Sequence, residues 1–577
     1  MSVKTEYDFI IVGSGPAGSS LAYGLAQSPK KPKVLVLEAG GQNDDRNMRV
    51  NGQRWLTFMN KDMNWGYKTV PQEHCDNREL DYSRGRGLGG SSAINFGVFT
   101  IGASHDYDTW AELVGDDDFT WDRIQSRFKQ LVTVHGETPP GTDPKFAAPN
   151  NTQDFTGPVH VGYASEWEDD LLPLLDLFSQ TGHPLNPDHN SGNPIGMSVL
   201  ISSAHEGLRS TSADLLTQLP SNITVLTSSP VQRVLFSSEK KAIAVVLSNG
   251  HTFFASKEII LCAGALDTPR ILMHSGIGPP DQLSSFSIPI ISPLSAVGQN
   301  LRDHAFAPLV YQRKPSSPSS SSRASFYGSQ ESQDSALEEW KQSYSGPWAK
   351  FACEVGIGFF KFPPSFFSSS EFLSLPPLEQ VYLSHPTIPH YEVFTHFPIH
   401  WFLPPPFPRA SPDSLIDYSC FLVFLYNAQA RGEVTLQSSD PSVPLRFDPK
   451  FLSHEFDRKA AVESIRAVMR FTEAEEYARD TVGVVAGPEK DATDEELLAY
   501  WRQTISSSWH MTGTAKMGRR GEEDAVVDSE FSVMGVEGLR VADMSVVPVL
   551  ASCHVQAVAY VTGYTCAEKL LKEYDLL

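Results

Sequence analysis

The sequence predicts an α/β fold in which a doubly wound parallel sheet is joined to a second, discontinuous α+β domain built on an antiparallel sheet. Three observations support this prediction. An apolar run at residues 9–12 leads into a glycine-rich turn and a helical pattern. A second apolar run at residues 34–37 completes the spacing of a βαβ unit. Much later, residues 418–426 and 432–436 have strand-like patterns after a long aromatic and proline-rich segment, as in an antiparallel substrate domain.

The first strand, turn and helix have the pattern of a dinucleotide-binding unit. Residues 9–12 (FIIV) form the continuous apolar run of a central parallel strand, and Gly13, Gly15 and Gly18 follow at G-x-G-x-x-G spacing. Gly13 permits the tight turn, Gly15 lets a pyrophosphate approach the backbone, and Gly18 lets the helix pack closely on the strand. By itself the glycine pattern is equally compatible with an ordinary turn.

The acidic residue that ends the second strand favours the nucleotide-binding interpretation. Glu38 follows the apolar run 34–37 and lies where this fold places its ligand for a ribose 2′-hydroxyl. A carboxylate there would repel a 2′-phosphate, so a cofactor such as NADP is not expected. Together the two strands indicate a Rossmann-type domain.

Composition limits the possible partners. A chain of 577 residues is too long for one hydrophobic core, so two or more domains are expected. The formal net charge of −22 argues against nucleic acid or an anionic membrane as partner. The first strand begins within ten residues of Met1, which leaves no room for a secretory signal, so we expect an intracellular protein, cytoplasmic or peroxisomal. The six scattered cysteines suit reduced thiols, and no metal site is expected.

The middle of the chain adds helices, strands and a low-complexity segment. Helices are predicted near 121–134 and 169–181, and strands at 223–226, 231–236 and 242–247. The serine-rich segment 313–335 predicts a mobile loop, either a passive insertion or a lid. The aromatic segment around 394–407 is expected to supply core residues and some of the walls of a substrate pocket, the candidates being Phe394, Phe397, Trp401, Phe402 and Phe407.

Two further glycine-containing stretches resemble signatures of a known family. On physical grounds alone the stretch 85–108 could be a surface loop. It resembles the first signature of the glucose–methanol–choline (GMC) oxidoreductases, with matches at Gly85, Arg86, Leu88, Gly89, Gly90, Ser91, Ser92, Ile94, Asn95, Phe99, Gly102 and Asp108. The stretch 264–278 is similar to the second signature, and weaker similarity occurs at 297–304, 431–441 and 538–548.

The resemblance implies FAD as cofactor and a division of the chain between two domains. We expect residues 1–116, 217–302 and 505–577 to form the FAD-binding domain, and 117–216 and 303–504 the substrate domain with its cap segments. The run 93–96 lacks the histidine that covalent members use for attachment, so the FAD should be noncovalent. Beyond the glycine turn and Glu38, the residues expected to contact FAD are Arg86, Gly90, Ser91, Asn95, Val231, Asp543 and Gln556.

Two histidines near the C-terminus are the catalytic candidates. Taken alone, His510 and His554 would more often be structural, but they match the family's catalytic histidine and its partner, which is His or Asn in most alcohol oxidisers. A neutral imidazole, with a pKa near 6.5, can take a hydroxyl proton while the hydride passes to the flavin. The partner would stabilise the developing alkoxide. The expected reaction is oxidation of a primary, possibly aromatic or allylic, alcohol or an aldehyde hydrate, with oxygen or another electron acceptor.

Other activities of the family stay open. The C-terminal stretch is similar in style to formate oxidases, but those enzymes have an arginine at the position of His554, which disfavours formate here. An FAD-containing lyase that cleaves cyanohydrins, a fatty-acid photodecarboxylase, and a binding module without turnover are the remaining alternatives. The two histidines argue against the binding module but do not separate an oxidoreductase from a lyase.

Overall fold

The computed structural model describes residues 6–147, 154–314, 326, 329–351, 353–396 and 417–577. Two seven-stranded sheets organise these residues. The first has the order β8-β2-β1-β11-β10-β9, with β22 also paired to β11. Its strands are β1 Glu6–Val12, β2 Val34–Leu37, β8 Ile223–Leu226, β9 Val231–Phe236, β10 Ala242–Leu247, β11 Thr252–Leu261 and β22 Leu539–Val541.

The first sheet is parallel over its nucleotide-binding part. Strand β1 pairs in parallel with β2 and β11, and β2 pairs in parallel with β8, whereas β9 and β10 form an antiparallel extension of β11. Phe9, Ile10 and Ile11 are fully buried, as a central strand covered on both faces requires. The predicted strands at 223–226, 231–236 and 242–247 are confirmed with these bounds.

The second sheet is antiparallel and confirms the predicted α/β fold with a second, antiparallel domain. Its order is β20-β14-β17-β16-β15-β5, with β21 paired to β14. Its strands are β5 Gly196–Val199, β14 Ala305–Arg313, β15 Gly356–Phe360, β16 Tyr391–Phe394, β17 Asp417–Leu425, β20 Thr481–Ala486 and β21 Ser506–Ser507. Short two-stranded pairs complete the strands: β3 Val132–His135 with β4 Val159–Gly162, β6 Ala204–His205 with β7 Leu208–Arg209, β12 Ile277–Gly278 with β13 Ser292–Pro293, and β18 Glu433–Thr435 with β19 Arg446–Asp448.

The helices cover the two sheets. Those of eight or more residues are Pro16–Ala26, Ser104–Val114, Trp121–Leu131, Leu171–Gln180, Gly264–His274, Gln330–Ser343, Pro377–Ser384, Glu455–Thr472, Asp494–Thr504 and Gln556–Glu573. Shorter α-helices are Arg54–Phe58, Pro280–Ser285, Pro347–Lys350, Ser370–Leu373 and Glu475–Ala478. None of the described helices is long and apolar enough to cross a membrane.

Two predicted segments differ from the structure. The helix predicted over 121–134 ends at Leu131, because the β-branched residues that follow pair with β4 instead. The loop predicted over 313–335 is partly a helix, Gln330–Ser343, which Ser329 caps and the buried Trp340 anchors. Residues 315–325 and 327–328 lie outside the described residues, so the alternative of a lid stays untested. Of the predicted aromatic wall, Phe397, Trp401, Phe402 and Phe407 also lie outside them.

Close helix packing brings the two ends of the chain together. The helix Gln556–Glu573 lies against Pro16–Ala26, where a Cβ on Gly563 would be 1.9 Å from the carbonyl oxygen of Ala17 and a Cβ on Gly24 would be 2.5 Å from Cβ of Ala567. Only glycine permits such a close approach. The N-termini of both helices therefore open onto the same cavity.

Candidate active site

A single cavity runs from the glycine turn after β1 to the second sheet. At one end it is lined by the turn at residues 13–17 and by Glu38, and at the other by His510 and His554. The walls between them come from residues 90–98, from the loop 262–265 after β11, and from residues 543–544 and 555–559. Residues distant in sequence thus share one long site. One end of this site lies at the carboxyl edge of the parallel strands, where α/β proteins bind their ligands.

The glycine turn has the geometry that the sequence pattern predicts. A Cβ on Gly13 would be 2.4 Å from the carbonyl oxygen of Cys262, and one on Gly18 would be 2.0 Å from that of Gly13. Gly15 lies next to Gly90, since a Cβ on Gly90 would be 2.6 Å from Cα of Gly15. Gly13, Gly15 and Gly90 line the cavity, whereas Gly18 serves the packing of the helix on the strand.

Glu38 is buried at the end of β2 and lines the same part of the cavity. Its Oε2 accepts hydrogen bonds from the backbone and the hydroxyl of Ser14 at 2.9 and 2.8 Å, and its Oε1 accepts from the backbone of Gly40 and Gly87, both at 2.9 Å. These four bonds fix the orientation of the carboxylate. It is oriented by the turn that would receive the pyrophosphate.

The remaining predicted cofactor contacts fall in different places. Ser91, Val231 and Asp543 line the cavity. Asp543 accepts hydrogen bonds from the backbone of Gly264 and from the hydroxyl of Thr268, at 2.8 and 2.6 Å, and burial raises its pKa. Arg86 is not among the cavity residues: its guanidinium lies 4.8 Å from the ring centroid of Trp65.

An arginine that the sequence interpretation missed lies nearer the site. Arg84 lines the cavity and donates to the Ser91 hydroxyl and to the backbone oxygen of Trp509, at 2.8 and 2.6 Å. The matched signature begins one residue after it, so the resemblance gave no reason to select it. This arginine joins the first signature to the segment that carries His510.

Asn95 and Gln556 are joined at the middle of the cavity. The Asn95 amide donates to Oε1 of Gln556 at 3.2 Å, and Nε2 of Gln556 donates to the backbone oxygen of Val98 at 2.5 Å. Gln556 is the first residue of the C-terminal helix, so the first signature and the start of that helix form one hydrogen-bonded wall. The positive end of the helix faces this part of the cavity.

His510 is held by a third histidine. Nδ1 of His510 lies 3.0 Å from Nδ1 of His304, which is fully buried at the start of β14. One nitrogen of this pair must donate and the other accept. The backbone amide of His510 donates to Oδ1 of Asp303 at 2.7 Å, which fixes the segment. Nε2 of His510 is the ring nitrogen left for a ligand in the cavity.

His554 is paired with a buried carboxylate. Its Nε2 lies 3.0 and 3.2 Å from the two carboxylate oxygens of Glu392, whose side chain is fully buried in β16. The Tyr426 hydroxyl donates to Oε2 of the same carboxylate. A carboxylate accepts, so the hydrogen lies on Nε2 of His554 and Nδ1 is left for the cavity. The rings of His510 and His554 lie 4.7 Å apart between centroids and nearly perpendicular.

Burial and neighbouring charge keep His510 in its neutral form. Burial first, then His554, His304 and Arg84, hold the pKa of His510 well below its usual value. The pKa of His304 is likewise lowered well below normal, by burial and by the charges of His554 and Arg302. Both imidazoles are therefore uncharged at neutral pH, each with one ring nitrogen free of hydrogen, as a general base must have.

Glu392 and His304 were not selected from the sequence, although each left a signal. Glu392 is the one acidic residue in an apolar strand, and it lies two residues before Phe394, so both side chains point to the same face. His304 ends the stretch 297–304 that resembles the family. Neither signal names the histidine that each residue contacts, because those contacts join residues 162 and 206 positions apart.

Beyond the two histidines the cavity wall is apolar and aromatic. The Phe394 ring stacks on His554 at 5.2 Å between centroids, and Phe424 meets the same ring edge-on at 5.5 Å. Phe394, one of the aromatic residues expected either to pack in the core or to wall a pocket, is buried and lines the cavity. Other apolar residues lining this end are Phe58, Phe96, Val98, Phe306, Leu422 and Trp509.

The residues present fit an FAD molecule. The glycine turn and the start of the first helix leave a backbone cradle into which a Cβ would intrude, and Glu38 lies beside it. The cavity continues without interruption to the histidine pair. The run at 93–96 offers no histidine for attachment.

Comparison with known proteins agrees with this geometry. Two family models described as GMC oxidoreductase match the chain, one over residues 7–306 and the other over 428–563. The dehydrogenase pkfF of Emericella nidulans is 30% identical over 99% of this chain and 94% of its own length. Oxygen-dependent choline dehydrogenase 1 of Chromohalobacter salexigens is 29% identical over 99% of this chain and 96% of its own length.

A solved structure extends the similarity to three dimensions. Formate oxidase of Aspergillus oryzae RIB40, in a variant studied for its effect on FAD modification, superposes with a TM-score of 0.87 at 26% identity over the full length of both chains. The resemblance found in the two signatures is thereby confirmed. The chain belongs to the GMC oxidoreductase family.

Proposed function

We propose that this protein is an FAD-dependent oxidoreductase that oxidises a primary alcohol bearing an apolar, preferably aromatic, substituent. The observation that carries the proposal is the pair His510 and His554 at the junction of the dinucleotide cavity and an aromatic-walled chamber. Noncovalently bound FAD, held by the glycine turn, Glu38 and the wall around Asn95, would supply the hydride acceptor.

His510 is the proposed general base. Its free Nε2 can take the hydroxyl proton only if Nδ1 carries the hydrogen and donates it to His304. His304 then accepts through its own Nδ1 lone pair and fixes His510 in the reactive tautomer. The lowered pKa of His510 keeps Nε2 unprotonated until substrate binds. The hydroxyl becomes more acidic as the carbon-bound hydride departs, which favours transfer of the proton to Nε2.

His554 is the proposed stabiliser of the substrate oxygen. Its Nε2–H is committed to Glu392, so only Nδ1 can reach the substrate. To donate from Nδ1 the ring must carry a hydrogen there as well, and the resulting cation would lie directly against the negative charge of Glu392. The two histidines therefore have different roles. His510 removes the hydroxyl proton, and His554 stabilises the resulting alkoxide oxygen.

The apolar wall supports the choice of substrate. Most side chains around the histidines are hydrocarbon or aromatic, and the charged Arg84 is already bonded to Ser91 and Trp509, so a neutral aromatic group would bury its surface largely against apolar atoms. With histidine at position 554, a carboxylate substrate such as formate would lack there the bidentate partner that an arginine provides. His554→Arg should accordingly weaken alcohol oxidation and introduce reactivity with formate.

The test is anaerobic reduction of the bound flavin, followed by absorbance. Benzyl alcohol should bleach the native protein, and formate should not. His554→Asn, which places an uncharged amide donor at this position, is the matched control for His554→Arg. Faster bleaching of the native protein by formate would contradict the alcohol assignment. Turnover of a cyanohydrin with the flavin still oxidised would instead identify a lyase, and decarboxylation of a fatty acid under blue light a photodecarboxylase.

A further inference from the structure

Two buried arginines lie side by side behind the wall of the cavity. Arg54 and Arg209 are only 5% and 1% exposed. Arg54 donates to the side-chain oxygen of Asn51 and to the backbone oxygen of Ser203. Arg209 donates to the backbone oxygen of Ser92 at 3.1 Å and to the Thr57 hydroxyl at 3.2 Å. All of these acceptors are neutral.

The described residues provide no carboxylate partner for this pair. Among the described residues no carboxylate oxygen lies within 4 Å of either guanidinium, although the neighbouring Arg49 is paired with Asp214 at 2.6 Å. Nη1 of Arg54 and Nε of Arg209 are buried and have no hydrogen-bond partner within the described part of the chain. Burying a cation without a counterion costs free energy, and two adjacent cations repel each other. An anion outside the polypeptide would relieve both costs.

Arg54 and Arg209 lie next to the part of the cavity wall that is hydrogen-bonded to the segment carrying His554. A Cβ on Gly97 would be 1.5 Å from Nη1 of Arg54, and Nη1 of Arg209 lies 3.5 Å from Oδ1 of Asn95. Gly97 and Asn95 both line the cavity, and Asn95 is bonded to Gln556 two residues after His554. The glycine turn expected to hold the pyrophosphate contacts this wall at a different place, Gly90, which precedes Asn95 in the sequence. Only one layer of backbone therefore separates the cations from the cavity.

We propose that Arg54 and Arg209 are positioning charges that stabilise the reduced, negatively charged isoalloxazine of FAD and so raise its reduction potential. A hydride brings two electrons and one proton, so the cofactor gains one net negative charge when it accepts it. In this low-dielectric wall the two fixed cations attract that charge strongly. The inference rests on the proposed FAD cofactor, but not on the identity of the alcohol.

The experiment measures the flavin without any alcohol. Arg209→Met and Arg54→Met, reconstituted with FAD, are compared with the native protein in two assays: the midpoint potential by equilibration with redox dyes, and the dissociation constant for sulfite, whose adduct with the flavin is also anionic. Each variant should have a lower potential and a sulfite dissociation constant raised roughly tenfold or more. Arg209→Lys and Arg54→Lys, which keep the charge, should restore most of both values.

Arg49→Met is the matched control, because Arg49 lies beside Arg209 but is already neutralised by Asp214. Its potential and sulfite affinity should equal those of the native protein. If one of the two methionine variants does not fold, the other carries the test. Unchanged potentials in the folded variants would overturn the proposal. Weaker FAD binding at an unchanged potential would also overturn it, because the two arginines would then act on the pyrophosphate of FAD and not on its isoalloxazine. A protein that shows these shifts but oxidises no alcohol would contradict only the proposed substrate.

Discussion

Replacing Glu392 by Gln should slow flavin reduction by alcohol about 10²-fold, because it removes the charge that supports His554. The two groups lie 3.0 Å apart between Nε2 and Oε1, and the carboxylate is fully buried. At charge centres about 4 Å apart and an effective dielectric constant of 20, the attraction is roughly 4 kcal/mol. Part of this attraction already acts in the resting protein and does not affect the rate. We expect the substitution to remove about 2.7 kcal/mol of transition-state stabilisation, which corresponds to the 10²-fold loss.

The assay is stopped-flow reduction of the flavin under anaerobic conditions, over a range of benzyl alcohol concentrations. The loss should appear in the limiting rate rather than in the apparent dissociation constant, because the developing alkoxide forms only in the transition state. Tyr426→Phe is the matched control: it removes the hydroxyl donor to Glu392 but keeps the carboxylate, so its loss should stay within about tenfold. Glu392→Gln protein that is folded, contains FAD and is reduced at the native rate would refute the role given to His554.

The remaining predictions concern the base, its partner, the stability and the cofactor. His510→Ala should slow flavin reduction by roughly 10²-fold or more with FAD still bound; native rates would move the base elsewhere. His304→Leu should cost about tenfold by removing the acceptor for His510, while His304→Asn, whose amide oxygen can accept, should retain more activity. Burial lowers the pKa of His189 to about 4 and of His390 to about 3, so below about pH 6.5 the unfolded chain takes up protons that the folded one does not, and stability should fall. From pH 6.5 to 5 these two groups should decrease the free energy of unfolding by about 3 kcal/mol in chemical denaturation, and a flat profile would contradict this. Acid precipitation should release the yellow colour into solution, and flavin left on the pellet would show a covalent bond.

Local sequence patterns were enough to predict the nucleotide-binding part of the fold. A parallel strand buried on both faces must be continuously apolar, and a turn that approaches a pyrophosphate must be glycine-rich. The structure of β1, the turn and β2 can therefore be predicted from a few adjacent residues. The resemblance of the C-terminal stretch to the family then indicated two candidate catalytic histidines. Helix bounds were less certain, and the helix from Trp121 ends early because its last residues pair with a strand that comes 28 positions after Leu131 in the sequence.

The chemistry of the site depends on contacts that no local pattern contains. The sequence by itself determined that the chain has a dinucleotide-type cavity and two candidate histidines. Only the tertiary structure decided that His510 meets His304, that His554 meets Glu392, and that Arg54 and Arg209 meet Ser203, Thr57 and Ser92 behind the wall. Each of these pairings joins segments from different parts of the chain, and the protonation state of an imidazole is set by its partner in space. The sequence therefore names the candidate groups, whereas the packing of the two sheets decides which residues each of them contacts.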